Sequence, residues 1–589
     1  MASRQNETKG DIKRVYRHIV RYKKHFAAGA VAILLTNAFG MVAPWLIKDA
    51  IEMLEGGTAT SARLLNYALA VIAVSLLSGF FLYFLRRTII WASRYIEYDI
   101  RNEITSKLLG LPRSYYNVTP TGDIIVRLSS DVEAVRMMIG PGIMQFSNTI
   151  VAGSIAIALM FILSPTLTLV ALLPFPILAY TFKKVAFRVY SLAFQIQNHF
   201  STMSAFVQEN IAGVRIVRSY NQESSQTSEF ESLNKDYIGL NLKLAKLQGL
   251  FQPVVMLEVG VILLVVLYFG GIQVINGSLT LGVLVAFLLY LMMLVWPVMA
   301  IGWTITLYQR GMASQKRIDA ILDIIPDVRD SVQVSEATNL KPEIEFRNLS
   351  FAYPGTARTI LKHVTLSVPA GKTTAFVGRT GCGKSTLLDL IMRAYRVEDG
   401  VLLIGGRDIN SIPLSQLRRF IGYVPQESFL FSDTLYENIS FGLQEVNRER
   451  SETSASLAKL SGDIAEFPNR FETLVGERGI TLSGGQKQRA ALARALARDP
   501  QILILDDAFS AVDTSTEEQI LTGIESVVKS RTTIIVSHRV STVKRADLIH
   551  VLDGGRVIDS GSHGELLERC ELYADIVSRQ ELEEQLEQL

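Results

Sequence analysis

Residues Gly378 to Thr386 read GRTGCGKST, a G-x-x-x-x-G-K-[ST] spacing between a strand-like TTAFV and a helix-like LLDLIMRAY. This is the order of residue types that phosphate binding needs. Gly381 and Gly383 let backbone N–H groups wrap phosphate oxygens. Lys384 brings a point charge to the β and γ phosphates, and Ser385, where the helix opens, can ligate Mg²⁺. Gly378, Arg379, Thr380 and Thr386 complete the loop. Cys382 within it reads either as a tolerated small residue or as a thiol whose alkylation blocks nucleotide binding.

Downstream, QILILDD forms an apolar run that ends in two carboxylates. Its pattern predicts a buried parallel strand delivering Asp506 to the C-terminal edge of a sheet, where a phosphate-loop ATPase keeps its second metal-orienting group. Asp507 is next in line. Between the two motifs, LSGGQ (Leu482, Ser483, Gly484, Gly485, Gln486) opens a helix and offers a second N-terminal dipole to an anionic phosphate.

These motifs need an α/β scaffold, and from residue 343 the chain has one, with strands and helices alternating to about residue 578. Before it lie six apolar stretches, at about 26–47, 64–85, 138–163, 165–182, 249–275 and 280–307, each near the ~20 residues that span hydrocarbon. Ser164-Pro165 separates the third from the fourth, and NGS (Asn276 to Ser278) the fifth from the sixth, so both pairs read as tight hairpins. The long connections carry Arg86, Arg87, Arg94, Arg101, Lys183, Lys184, Arg188, Arg215 and Arg218, which by the positive-inside rule are cytoplasmic, as are both termini. The fold class expected is membrane α-helical, six spans with long cytoplasmic extensions, fused to an α/β nucleotide-binding domain. We divide the chain into an N-terminal amphipathic elbow (1–24), a transmembrane domain (25–325), a linker (326–342), an ATP-binding domain (343–578) and an acidic tail (579–589).

Composition agrees. The chain is 49% hydrophobic with a net charge of +3, which suits a membrane protein and gives no global basis for nucleic-acid binding. Its two cysteines, Cys382 and Cys570, are read as free thiols. No cleavable signal or transit peptide is expected in the first residues.

Phosphate loop, LSGGQ and LDD in this order resemble the ATP-binding-cassette (ABC) transporters, and the resemblance covers almost the whole chain. It implies ATP and Mg²⁺ as cofactors and residue roles in addition to those above: Tyr353 of FAYPG stacking on adenine, Gln426 of YVPQE sensing Mg²⁺ and the attacking water, His538 of VSHR at the γ-phosphate, and Asp513 in a loop joining two ATP sites. It also implies that TGD…RLSSDV from Thr121 and ENIAGVRIV from Glu209 are cytoplasmic turns docking on the ATPase, and that TLVGERG (Thr473 to Gly479) is a cross-subunit contact. In this family LSGGQ closes over the ATP of a second cassette, so one chain of this length is a half-transporter that must dimerise.

One position departs from the pattern. Most members carry glutamate after the metal aspartate, and here it is Asp507, one methylene shorter. With Gln426 and His538 present, the change bears on hydrolysis rather than binding. Two readings follow: a heterodimer with a glutamate-bearing half, the present site turning over slowly, or a homodimer whose backbone shifts so that Asp507 serves. Chains with a DDA.SAVD run resemble heterodimer subunits of multidrug-type exporters.

The cargo is least legible. Glu258 is the one ionisable residue inside an expected span, either an intracavity carboxylate favouring cationic amphiphiles or a hydrated or paired group near the inner boundary. Trp296, with Trp303, Phe287, Tyr290 and Met292, lines a cavity or faces lipid or another helix. The function expected is ATP-driven export, or inner-to-outer leaflet flipping, of amphipathic, drug-like compounds across a cytoplasmic membrane, as one half of a dimeric exporter. A homodimeric lipid or lipopeptide flippase and an ATP-gated channel or regulatory subunit are the alternatives.

Overall fold

The structure is a computed structural model and describes residues 13–330, 340–443, 447–476, 479 and 482–587. Residues 1–12 of the expected elbow, 331–339 of the linker, Glu477 and Arg478 of TLVGERG and the last two tail residues lie outside the described residues. The chain divides into two units, Met1–Leu109 with Thr121–Ile324, and Gly110–Pro120 with Ile325–Leu589.

The first unit is all helical. Five of its helical stretches are long and apolar enough to cross a membrane: Lys23–Glu55, Ser61–Leu109, Thr121–Leu163, Glu223–Ile275 and Leu281–Leu322. Between the third and the next, the apolar stretch expected at 165–182 is divided. Pro165–Leu172 is one helix, and a second, Phe175–Ala212, starts after Pro174, which cannot donate to the preceding turn. Helices break at Ser164 and again at Asn276–Thr280, the two places where tight turns are expected. Ser164 caps its helix, accepting from Leu167 N at 3.3 Å with Pro165 in the first turn, and Thr280 does the same for Val283 N at 3.2 Å. Both long connections continue the membrane helices; the short helix Val214–Ser219 interrupts the second, and Arg113–Val118, which belongs to the second unit, interrupts the first. Among the apolar core residues are Met160, Leu167, Ile262, Phe287 and Tyr290. Beyond it, helices join through buried charges: Glu97 with Arg136, and Asp131 with Ser314 and Arg317.

Among its described residues the second unit holds ten strands: β1 (Ile344–Ala352), β2 (Thr359–Val368), β3 (Thr373–Gly378), β4 (Leu402–Ile404), β5 (Arg407–Asp408), β6 (Ile421–Val424), β7 (Ile502–Asp506), β8 (Thr532–Val536), β9 (Leu548–Asp553) and β10 (Arg556–Gly561). An antiparallel sheet runs β2-β1-β4-β5, and a second sheet runs β10-β9-β3-β8-β7-β6. In the second sheet β9, β3, β8, β7 and β6 are parallel neighbours, so their C-terminal ends share one edge. β3, β7 and β8 are buried along their whole length, with apolar residues at most positions and Thr373, Thr374, Thr532 and Thr533 buried at the starts of β3 and β8. A helical subdomain with its own core, built on Leu435–Ser440, Arg448–Leu457 and Gly484–Ala497, packs beyond β6 and β7.

Candidate active site

The phosphate loop leaves β3 at Gly378, where a Cβ would stand 2.1 Å from the Leu552 carbonyl oxygen on β9, so only glycine fits. Gly383, at φ 107°, opens the Lys384–Ile391 helix in a left-handed conformation. Lys384 is buried, and its Nζ donates to the carbonyls of Gly378 (2.7 Å) and Arg379 (3.2 Å). The ammonium is thus held against the loop by the loop's own backbone, with Arg379, Thr380, Gly381 and Ser385 exposed beside it. Cys382 is buried with Sγ 3.9 Å from Lys384 Nζ. Burial pushes its thiol pKa up, and the nearby ammonium offsets only part of this.

Asp506 ends β7 directly across from this loop. Its Oδ1 is 3.4 Å from Ser385 Oγ, and its Oδ2 is 3.4 Å from Tyr423 Oη. Burial raises the pKa of this carboxyl, the charges of Asp389 and Asp507 act in the same direction, and the two hydroxyl contacts oppose them. A hydroxyl and a carboxylate, both loosely spaced, are hard oxygen donors of the kind Mg²⁺ takes, and Mg²⁺ is ordinarily completed by water and phosphate oxygens. Among the described residues no cluster of three or more His, Cys, Asp or Glu could hold a metal alone. The donor set therefore fits a magnesium ion that arrives with a nucleotide.

Asp507 sits in a conformation that its residue type did not announce. Its φ is 49°, in the left-handed region, and its N–H donates to Val536 O on β8 at 2.8 Å. Its carbonyl accepts from Ser510 N (3.3 Å) and Ser510 Oγ (3.1 Å). Gln426, just past β6, brings Nε2 to 3.4 Å from Asp507 Oδ2, longer than a formed N–H···O bond. His538 follows β8 on the same sheet edge and is exposed.

LSGGQ opens the Gly484–Ala497 helix through a capping box, Ser483 and Gln486 bonding each other's backbone N–H at 3.3 and 3.0 Å. Gln486 and Arg489 both bond Asp463, at 2.9 and 2.7 Å. Gly484 and Gly485 are small for a reason, since a Cβ on Gly485 would stand 3.0 Å from the Ala511 carbonyl. Among the described residues no hydrogen bond joins Ser483–Gln486 to the phosphate loop of the same chain. Asp513 caps the Thr514–Gly523 helix, accepting from Thr516 N and Ser515 Oγ at 2.7 Å, which lowers its pKa to about 2.

Tyr353 is half-buried, donating to or accepting from Thr386 Oγ1 at 2.9 Å and edge-on to Tyr395, with ring centroids 5.2 Å apart. Tyr395, Tyr423 and Gln488 are parts of this site that the motifs did not flag. Tyr395 also meets the short Arg113–Val118 helix: Asn117 Nδ2 donates to its hydroxyl at 2.9 Å, and Arg113 Nη1 reaches Asp389 Oδ1 at 2.6 Å on the phosphate-loop helix. In the helical unit, Trp296 is 65% exposed, whereas Phe287 and Tyr290 are fully buried. Tyr290 donates to Met41 O at 2.7 Å, so these two belong to helix packing rather than to a cavity wall. Glu258 is half-buried, with Oε2 shielded from solvent and without a hydrogen-bond partner among the described residues.

Comparison with known proteins meets this geometry. Residues 26–298 match the family model of the ABC transporter transmembrane region and residues 361–510 that of the ABC transporter. The chain is 35% identical over 562 residues to the probable multidrug resistance ABC transporter ATP-binding/permease protein YheI of Bacillus subtilis (strain 168), covering 95% of this chain and 96% of that protein. It is 32% identical over 568 residues to the ATP-dependent lipid A-core flippase of Syntrophus aciditrophicus (strain SB), covering 96% and 93%. A solved bacterial Atm1-family ABC exporter with ATP bound superposes with a TM-score of 0.78 at 28% identity, covering 95% of this chain and 98% of that one.

Proposed function

The chain belongs to the ABC transporter family as an exporter whose ATP hydrolysis is coupled to transport, and on that premise we propose that it is the slow-site half of a heterodimer moving amphipathic compounds out across a cytoplasmic membrane. In this reading the ATPase unit and both termini face the cytoplasm. Lys384 and the loop amides hold the ATP phosphates, Ser385 and Asp506 orient Mg²⁺ with Gln426 nearby, and Tyr353 meets the base. Ser483, Gly485 and Gln486 act on the partner's ATP.

The observation that carries the reading is the pinning of Asp507. A homodimer could use this carboxylate only if its backbone moved toward the attacking water. That backbone is bonded to Val536 on one side and to Ser510 on the other, and Ser510 is itself held by Gln488 Nε2 at 2.8 Å. Moving it breaks several bonds of ~1 kcal/mol each. The short side chain is thus left short, and hydrolysis at this site is slow while binding is intact.

Cargo class follows less directly. The relatives' names divide between multidrug resistance and lipid A-core flipping, and lipid A is an amphiphile. Glu258, with its shielded and unpartnered oxygen, supports a preference for cationic head groups. The test is uptake of a fluorescent cationic amphiphile into inside-out vesicles, with this chain alone and with a glutamate-bearing half-transporter co-expressed. Strong ATP-driven uptake by the unmixed chain would reject the heterodimer.

A further inference from the structure

Residues 13–21 form a helix whose Val15 and Ile19, one turn apart, cover an apolar groove of about 600 Å³ within the helical unit. Its opposite walls include Ile143 and Phe146 of the Thr121–Leu163 stretch and Ile305 and Tyr308 of Leu281–Leu322. The volume falls within the ~300–1,000 Å³ of ordinary ligand sites. Phe146, Ile305 and Tyr308 are each about half exposed although they line it, so the groove opens outward rather than closing into core. At its floor the helix widens into a π turn at Met138–Gly142, which contains Pro141, and such turns cluster at functional sites.

The cover is anchored by ions, not by filling the groove. Arg14 bonds Asp319 at 2.7 Å and Asp323 at 2.6 Å, and Arg21 pairs with Asp99 at 3.0 Å. The stretch Lys13 to Lys24, KRVYRHIVRYKK, carries six Lys or Arg and no acid. Lys13, Arg17, Lys23 and Lys24 make no ion pair among the described residues. An apolar slot on membrane helices, capped by a helix whose Lys13 and Arg17 have no ion-pair partner among the described residues, complements a molecule with an apolar tail and an anionic head.

We propose that this groove holds an acyl chain of an anionic phospholipid, its headgroup lying against the basic 13–21 helix, as a resident lipid distinct from the exported cargo. The proposal needs the chain to sit in a bilayer, but not the heterodimer or the cationic cargo.

Native mass spectrometry of the full chain, released from bilayer discs of equal phosphatidylglycerol and phosphatidylcholine, tests it. The wild-type chain should retain phosphatidylglycerol in preference to phosphatidylcholine. Lys13→Gln with Arg17→Gln, two exposed positions, should weaken that preference about 30-fold. Ile305→Trp, which fills the groove from an exposed wall, should abolish retention of both lipids. Equal retention of the two headgroups by the wild type, or undiminished retention by I305W, would overturn the proposal. Loss of the bound lipid during Mg-ATP turnover would make it cargo and overturn the resident role.

Discussion

Asp507→Glu tests the central reasoning most directly. Asp507 Oδ2 stands 3.4 Å from Gln426 Nε2, beyond the ~2.7–3.2 Å of a formed bond. One added methylene extends the carboxylate by about 1.5 Å, enough to close that gap and to reach a water beyond it. A general base displaced by ~1 Å costs ~100-fold in rate, about 2.7 kcal/mol of barrier. The unmixed wild-type chain in bilayer discs should therefore hydrolyse Mg-ATP slowly, and D507E should raise the turnover ~100-fold with the affinity for Mg-ATP unchanged. There is an opposing term in stability. At φ 49° aspartate is tolerated better than glutamate, so D507E should cost up to ~1 kcal/mol and lower the melting temperature slightly. Turnover and melting are measured on the same preparation. Wild-type turnover on the order of 10 per second, or a folded D507E that binds Mg-ATP and gains no rate, would refute the argument that reach is what limits this site.

Cys382 should react slowly with N-ethylmaleimide at pH 7 and faster as the pH rises past the ordinary thiol range, because burial keeps the thiol protonated. Complete labelling should abolish ATP binding, measured by equilibrium dialysis, since Sγ lies 2.9 Å from where a Cβ on Gly378 would be. Arg113→Ala should destabilise the ATPase unit by ~1–2 kcal/mol in a thermal melt, because Asp389, with 9% of its side chain exposed, loses its cation; adding Asp389→Asn should recover most of the loss. The raised pKa of Asp506 means that the folded carboxyl binds its proton more tightly than the unfolded one, so its contribution to stability is present at low pH and is lost as pH rises through the raised value. Asp506→Asn should accordingly raise the nucleotide-free melting temperature at pH 7.5 and remove the further stabilisation that Mg²⁺ adds to ATP. In the wild type that Mg²⁺ response should fade as pH falls through the same window. Glu258→Gln should lower uptake of cationic amphiphiles and leave neutral ones unaffected in the vesicle assay, with equal loss of both arguing for a structural role.

What could be read in advance was what short-range physics fixes. Ser483 and Gln486 cap their helix through a three-residue spacing, and Ser164-Pro165 starts a helix for the same kind of local reason. Ile502–Leu505 are buried on both faces, as the apolar run of a central parallel strand requires. Contacts between distant residues left no such trace. The stretch Leu111–Asp123 reads as an interruption that could expose a short helix to a cytoplasmic partner, but nothing in it names the partners: Arg113 meets Asp389 across 276 positions and Asn117 meets Tyr395 across 278. In the fourth apolar stretch, composition alone does not register that Pro174 divides it into two helices. Phe287 and Tyr290 misled in another way, since an aromatic on a membrane helix has the same local pattern whether it faces a cavity or a neighbouring helix.

The short side chain at 507 and the signature helix form one mechanical element. Gln488 lies on the Gly484–Ala497 helix, and its side-chain amide donates to Ser510 Oγ at 2.8 Å while its Oε1 accepts from Ala511 N at 2.9 Å. Ser510 bonds the Asp507 carbonyl, and the Ala511 carbonyl crowds Gly485. A displacement of the carboxylate loop must therefore displace the helix whose first turn carries LSGGQ, and the reverse. Since the proposed arrangement sets this LSGGQ over the partner's ATP, closure there would tighten the loop that holds Asp507 without lengthening its side chain. The slow site would then still register the partner's nucleotide state, and Gln488→Ala should weaken that communication while sparing ATP binding at Lys384. In a mixed dimer, the variant should reduce the dependence of ATP release from this site on hydrolysis at the other. Unchanged dependence would show that the two elements move independently.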